Sequence, residues 1–131
     1  MTTTVTDILV WNCDVCGKPV ADGKGYICVD VSAADAFRAA YEEWKAAHRR
    51  LINLTELMAM PSAAPWHVYH KRCDPQMVSA NDYWFDVERV RTDRDLLGWT
   101  AHLFGKDWFR DTNWDVLLYA AMNANGGRNP L

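Results

Sequence analysis

Four residues in two separate parts of the chain have the types and spacing of a metal site. Cys13 and Cys16 form a Cys-x-x-Cys pair, and His70 and Cys73 form a His-x-x-Cys pair. Zinc prefers thiolate and imidazole ligands, and a shell of three cysteines and one histidine leaves no position open for a reactive water. The sequence therefore predicts one structural zinc ion, bound by Cys13, Cys16, His70 and Cys73.

The residues after the first pair favour a zinc knuckle over a redox motif. A thioredoxin-like Cys-x-x-Cys lies between a strand and a helix, whereas Gly17 and Pro19 directly follow this pair and oppose a helix. Gly17 also lets the backbone turn back, so that amide groups can point at the thiolates and stabilise their charge. We therefore expect a tight turn that presents two sulfur ligands.

His67 is the alternative ligand to His70. Residues 66–69 have the pattern of a strand that runs into the second pair. Side chains three apart on a strand point to opposite faces, so His67 turns away from a metal that His70 binds. We predict His70 as the ligand and keep His67 as the alternative. The remaining cysteine, Cys28, is predicted as a buried small side chain, because unpaired cysteines usually pack as small hydrophobes.

The segment between the two pairs is predicted to be mostly helical. Asp22 and Gly23 indicate a hairpin turn within residues 20–26, followed by a strand over 26–31. Ser32, with an acid three residues later, has the pattern of a capping box and opens a long helix over 33–53. Residues 54–60 either continue this helix or form a second, short one. Residues 33–62 are thus a helical insertion between the ligand pairs.

The C-terminal half is predicted to contribute one strand and two helices. Charged residues on both faces of the segment 82–91 indicate an edge strand. Capping-box patterns begin helices at Thr92 and at Thr112. The predicted fold class is α+β, a single domain over residues 1–131. It combines a zinc-knuckle β-hairpin and a small antiparallel sheet with one long helix and two C-terminal helices.

Composition restricts the classes of function. Half of the residues are hydrophobic and seven are tryptophan, which indicates an ordered core. The net charge of −3 and the isoelectric point near 5.7 argue against a general affinity for phosphate backbones. The first seven residues lack the features of a secretion signal, and no apolar run approaches the length of a membrane span. We therefore expect a cytoplasmic protein whose cysteines are thiols or metal ligands.

The knuckle, the hairpin and the tryptophan-containing strand into His-x-x-Cys resemble one finger of a LIM domain or, more broadly, a treble-clef zinc finger. The matching residues are Cys13, Cys16, His70 and Cys73, with Trp66 near the second pair. The resemblance implies a surface that binds proteins and, less often, nucleic acid. A second finger is lacking, and the insertion is longer than in a LIM finger. The whole chain also resembles small uncharacterised proteins of actinobacteria and actinobacteriophages. This resemblance does not indicate any particular activity.

The predicted function is a non-catalytic, zinc-stabilised module that interacts with or regulates another protein. Trp99, Trp108 and Trp114 lie close together in the C-terminal region. Aromatic residues are enriched at the centres of interfaces, so these three are predicted to bind a partner or a second copy of the chain. The alternative is that they pack over the long helix and the sheet.

Nucleic-acid binding and nuclease activity are the two alternative functions. Arg89, Arg91 and Arg94 could form a basic strip that contacts phosphate, unless they pair with the neighbouring acids. A treble-clef nuclease needs histidines and a polar residue around a second, open metal. The candidates are His67, Asn81 and Asp82, and their order does not match that motif. Because no other catalytic motif is present, we predict that the protein is not an enzyme.

Overall fold

A three-stranded antiparallel sheet lies at the centre of the fold. In the computed structural model, which describes residues 8–50, 52–75 and 82–126, the strands are β1 (Gly25–Asp30), β2 (Trp66–His70) and β3 (Asp82–Asp86). Their order is β2-β1-β3, so β1 pairs with both neighbours and β3 is an edge strand, as predicted. The described residues also form four α-helices, and the α+β class is confirmed.

The start of β1 requires a glycine because two chain segments approach it closely. Gly25 is opposite His70 in the register with β2. A Cβ atom at Gly25 would overlap the Tyr69 carbonyl oxygen and would lie 2.5 Å from Cγ1 of Val20. Because glycine has no side chain, the C-terminal end of β2, which carries His70, can lie close to the segment that follows the first cysteine pair.

The long helix is shorter than predicted and begins earlier. Helix α1 spans Val31–Ala47, and its N-cap is Asp30 rather than Ser32. The Asp30 carboxylate accepts hydrogen bonds from the amides of Ser32 and Ala33, so the helix starts directly after β1. A separate helix, α2 (Leu54–Met58), follows because Asn53 forms a capping box with Glu56. The predicted long helix is confirmed, but it ends at Ala47 instead of residue 53, and the alternative of a second short helix is confirmed as well.

The predicted strand over 82–91 ends at Asp86, and a 3-10 helix (Val87–Val90) continues the chain. Val87 and Val90 are both fully buried. Because these two residues are three apart, a strand would direct them to opposite faces, whereas a helical turn directs both into the core. The burial of both side chains therefore explains the error in the predicted element.

The two C-terminal helices are α3 (Asp93–Leu103) and α4 (Trp114–Ala124). Thr92 caps α3 as predicted, since its side chain accepts a hydrogen bond from the Asp95 amide. Thr112 does not cap α4. Its hydroxyl instead donates to the Phe109 carbonyl oxygen and accepts a hydrogen bond from the indole of Trp66. The capping pattern at Thr112 was therefore misleading, because tertiary contacts engage the hydroxyl.

The segment that leads into β2 is held by the loop before α4. The Ala64 amide donates to the Asp111 carbonyl oxygen, and the Asn113 amide donates to the Ala64 carbonyl oxygen. The Asn113 side-chain oxygen accepts a hydrogen bond from the Trp66 amide at 2.8 Å. These bonds fix the start of the strand whose other end carries the second ligand pair. Within the described residues, no helix has the length and apolar character needed to cross a membrane.

Candidate metal centre

The four predicted ligands lie together. One ligand atom from each of Cys13, Cys16, His70 and Cys73 lies within 4.8 Å of all the others. Nδ1 of His70 is 3.3 Å from the Cys16 sulfur and 3.9 Å from the Cys73 sulfur. Tetrahedral zinc with bonds of about 2.0–2.3 Å holds its ligand atoms about 3.5–4 Å apart. The cluster is therefore close to the size that such an ion requires.

The first pair is presented by a short hairpin. The Cys13 amide donates to the Lys18 carbonyl oxygen, and Asn12 and Pro19 form an isolated antiparallel bridge. Gly17 closes the turn with a φ of 75°, a conformation that side chains rarely adopt. This geometry is the predicted knuckle, and it explains why a glycine follows Cys16.

Backbone amides surround the Cys13 sulfur. The amides of Val15 and His70 lie 3.4 Å and 3.5 Å from it. Burial raises the pKa of Cys13, but hydrogen bonds from the backbone of Cys16, His70 and Val15 outweigh it, and the pKa falls from 9.0 to about 6. The lowered pKa favours the thiolate of Cys13, the form that binds a metal.

The pKa of Cys73 shifts in the opposite direction from that of Cys13. Burial, followed by the proximity of the Cys13 and Cys16 sulfurs, raises the pKa of Cys73. Three thiolates this close repel one another, so full ionisation of the cluster is unfavourable without a cation. A divalent ion would remove this repulsion. The donor set therefore fits a bound cation.

A hydrogen bond selects the nitrogen of His70 that faces the cluster. Nε2 of His70 lies 3.0 Å from the Pro19 carbonyl oxygen. A carbonyl can only accept, so Nε2 carries the proton and Nδ1 presents its lone pair to the sulfurs. Metal-binding histidines usually have such an outer hydrogen bond, which fixes the orientation of the ring. The knuckle therefore supplies both two sulfur ligands and the group that orients the histidine.

His67 lies outside the cluster. It is on the opposite face of β2 from His70, as strand alternation predicts, and its Nδ1 is 3.1 Å from the Asp14 carboxylate. The same carboxylate accepts a hydrogen bond from the Val68 amide, and the Asp14 amide donates to the Val68 carbonyl oxygen. Asp14 thus attaches the knuckle to β2. This role of Asp14 was not predicted from the sequence, although the position of an acid between the two cysteines was a signal for it.

Cys28 is buried in β1 and is not part of the cluster. Burial, followed by the nearby carboxylates of Asp74, Asp82 and Asp14, raises its pKa to about 12. The thiolate is the form that binds metals and reacts, and the raised pKa disfavours it. These properties agree with the predicted role as a small core side chain.

The three candidate interface tryptophans take part in an aromatic cluster around Trp66. Trp108 and Trp114 have ring centroids 6.1 Å and 4.8 Å from that of Trp66. The ring of Trp99 contacts that of Phe85 in a tilted arrangement, with centroids 4.8 Å apart. Trp114 is buried, whereas Trp99 and Trp108 are half-buried. This packing favours the alternative in which these residues support the sheet.

The predicted basic strip is not a continuous free surface. The guanidinium of Arg91 donates to the carbonyl oxygens of Leu9 and Val20 and forms an ion pair with Asp22 at 2.7 Å. Arg91 therefore fastens three segments around the knuckle, and its partner is not one of the neighbouring acids that we predicted. Arg89 and Arg94 are exposed.

The nuclease candidates do not form a second metal site among the described residues. His67 is engaged by Asp14, and Asp82 is opposite Asp30 in the register of β1 and β3. Asn81 lies outside the residues that the structure describes. The group of Cys13, Cys16, His70 and Cys73 is the one that the described residues offer to an ion.

Comparisons with protein-family models, with curated proteins and with solved structures found no match to this chain.

Proposed function

We propose that the protein is a non-catalytic module that is stabilised by one zinc ion and binds another protein. The observation that supports this proposal is the closed set of three sulfurs and one imidazole nitrogen. Such a shell gives an ion four protein ligands and leaves no site for water or substrate, so the metal contributes to folding rather than to catalysis. Regulation of a partner in a bacterial or phage context, and a cytoplasmic location, are part of the same proposal.

Zinc is the proposed ion because a thiolate-rich tetrahedral set favours it over harder cations. The test is elemental analysis of the purified protein, combined with native mass spectrometry. We expect one zinc per chain. Protein that folds and contains no stoichiometric metal would contradict the proposal.

The resemblance to a LIM or treble-clef finger supports a protein partner, because such fingers mainly present surfaces to proteins. The partner-binding role of Trp99, Trp108 and Trp114 is retained only for the half-buried pair, Trp99 and Trp108, since Trp114 is buried. The test is crosslinking in the native host with a photoreactive group placed at exposed Gly98, next to Trp99, and at exposed Ala120 of α4 as a control. A partner captured only from position 98 supports the proposal.

Nucleic-acid binding through Arg89, Arg91 and Arg94 has weaker support, because the Arg91 guanidinium is engaged within the protein. A metal-dependent nuclease has less support still, since a closed shell cannot activate water. Retention on immobilised DNA that falls with salt would favour the first alternative. Metal-dependent cleavage of DNA would favour the second.

A further inference from the structure

A concave notch lies beside the metal centre, between the turn that precedes β1 and the turn that follows β2. Its volume is about 450 Å³, within the range of small-ligand sites. His70 contributes to its wall, so the notch and the metal centre share a side chain. The lining residues are Pro19, Ala21, Gly23, Lys24, His70, Lys71 and Arg72.

The notch concentrates positive charge in an acidic protein. Lys24, Lys71 and Arg72 line it, and no acidic residue among the described residues does so. A zinc ion with three thiolates and a neutral imidazole carries one negative charge, so two net positive charges remain at this place. The whole chain has a net charge of −3. Concave surfaces lined by one sign of charge attract ligands of the opposite sign.

The two cationic turns are held together by the backbone. The Lys71 amide donates to the Lys24 carbonyl oxygen at 3.0 Å and so joins the two turns. Within the second turn, the Cys73 amide donates to the His70 carbonyl oxygen at 2.9 Å. Gly23 closes the first turn with a φ of 79°. A site whose backbone is already fixed loses less entropy when it binds a ligand.

Two other cavities are less suited to an anion. One, of about 590 Å³, is lined by Arg38, Lys106 and Arg110, but Asp107 also lines it. The guanidinium of Arg38 is 3.8 Å from the carboxylate of the buried Asp111, which offsets part of its charge. The groove of about 480 Å³ between α3 and α4 is mainly apolar, and nothing in the structure shows what would cover it.

We propose that the notch binds a compact phosphate group, either a phosphate monoester or a pyrophosphate. Lys24, Lys71 and Arg72 line one concave place, whereas a nucleic-acid backbone needs cations spaced along a track. The guanidinium of Arg72 can form two parallel hydrogen bonds to phosphate oxygens, and Lys24 and Lys71 supply point charges. The inference rests on the proposed structural metal, because the metal fixes the turn that carries Lys71 and Arg72.

The test is isothermal titration of the zinc-loaded protein with inorganic pyrophosphate. We expect saturable binding that weakens by about tenfold or more in Arg72→Ala and Lys71→Ala, since each loses a charge-assisted contact. Arg94→Ala removes an exposed arginine of the basic strip, and Arg110→Ala removes one from the larger cavity. Both controls should bind like the unmodified protein.

Two results would overturn the proposal. One is the absence of saturable binding to protein that contains its full zinc, and this result leaves the structural metal intact. The other is an equal loss of binding in Arg72→Ala and in either control variant. Zinc content and thermal stability are measured on every variant, so that a failure of the metal centre is recognised separately.

Two oligonucleotides then identify the source of the phosphate group. Tighter binding of a 5′-phosphorylated strand than of the same strand with a 5′-hydroxyl indicates the end of a nucleic acid. Binding of a free nucleoside diphosphate without binding of either strand indicates a small molecule. Equal binding of both strands would contradict the proposal, because it requires contacts along the backbone instead of one phosphate group.

Discussion

Cys16→Ser tests the metal centre without disturbing the core. Cys16 is exposed, whereas Cys13 is buried, so a serine at position 16 costs little packing. The Cys16 sulfur is 3.3 Å from Nδ1 of His70, inside the ligand cluster. A loss of stability in this variant therefore reports on the metal and not on the burial of the thiol.

The expected loss follows from the length of the loop that the proposed metal would close. Residues 17–69 lie between Cys16 and His70. In the chain-entropy model, a link that closes a loop of roughly 55 residues lowers the entropy of the unfolded chain and raises its free energy by about 4 kcal/mol. The three remaining ligands retain some affinity, so we expect Cys16→Ser to lower the free energy of unfolding by about 2–4 kcal/mol.

The assay is urea unfolding with saturating zinc and again with a strong chelator. With zinc, the unmodified protein should unfold at a higher urea concentration than Cys16→Ser. The chelator should remove most of this difference in midpoint. Cys28→Ser is the matched control, because Cys28 is buried outside the cluster. Any loss in Cys28→Ser should be the same with and without zinc, and its zinc content should not change. Equal midpoints for the unmodified protein and Cys16→Ser under both conditions would refute the reasoning.

Three further changes probe the fold and the ligand assignment. His70→Ala should abolish stoichiometric zinc binding while His67→Ala retains it, as measured by elemental analysis; the reverse result would make His67 the ligand. Gly25→Ala should lower the free energy of unfolding by more than about 2 kcal/mol in chemical denaturation, because its Cβ would overlap the Tyr69 carbonyl oxygen; an unchanged midpoint would contradict the close approach. The pKa of Cys28 is raised to about 12, so its neutral thiol contributes stability fully below about pH 9, and this contribution is lost as the pH rises toward 12. Unfolding curves from pH 8 to 11 should therefore show a smaller decline in Cys28→Ala, and an identical decline would show that Cys28 titrates normally.

The predictions that succeeded rest on short-range chemistry. The spacing of Cys13 and Cys16 and the glycine that follows them specify a knuckle, since a tight turn needs a residue with a positive φ. Strand alternation separates His67 from His70 before any tertiary contact is known. Thr92 was recognisable as a cap because its hydrogen-bond partner lies three residues away.

The predictions that failed concern residues whose roles depend on distant partners. Val87 and Val90 lie in a 3-10 helix instead of the predicted strand, because both side chains are buried in the core. The Thr112 hydroxyl accepts the indole proton of Trp66 instead of capping a helix. The sequence pattern predicts Arg91 as a surface cation, yet its guanidinium donates to the carbonyl oxygens of Leu9 and Val20, which are distant in the sequence.

The sequence by itself determined the four candidate metal ligands, because ligand types and local spacing are properties of short segments. The tertiary structure decided how the two pairs meet. The Pro19 carbonyl oxygen orients His70, and Asp14 attaches the knuckle to β2. It also brought Lys24 beside Lys71 and so created the cationic notch. Such contacts join residues about 50 positions apart. They form only when β1 and β2 pair in the observed register, which brings distant segments together.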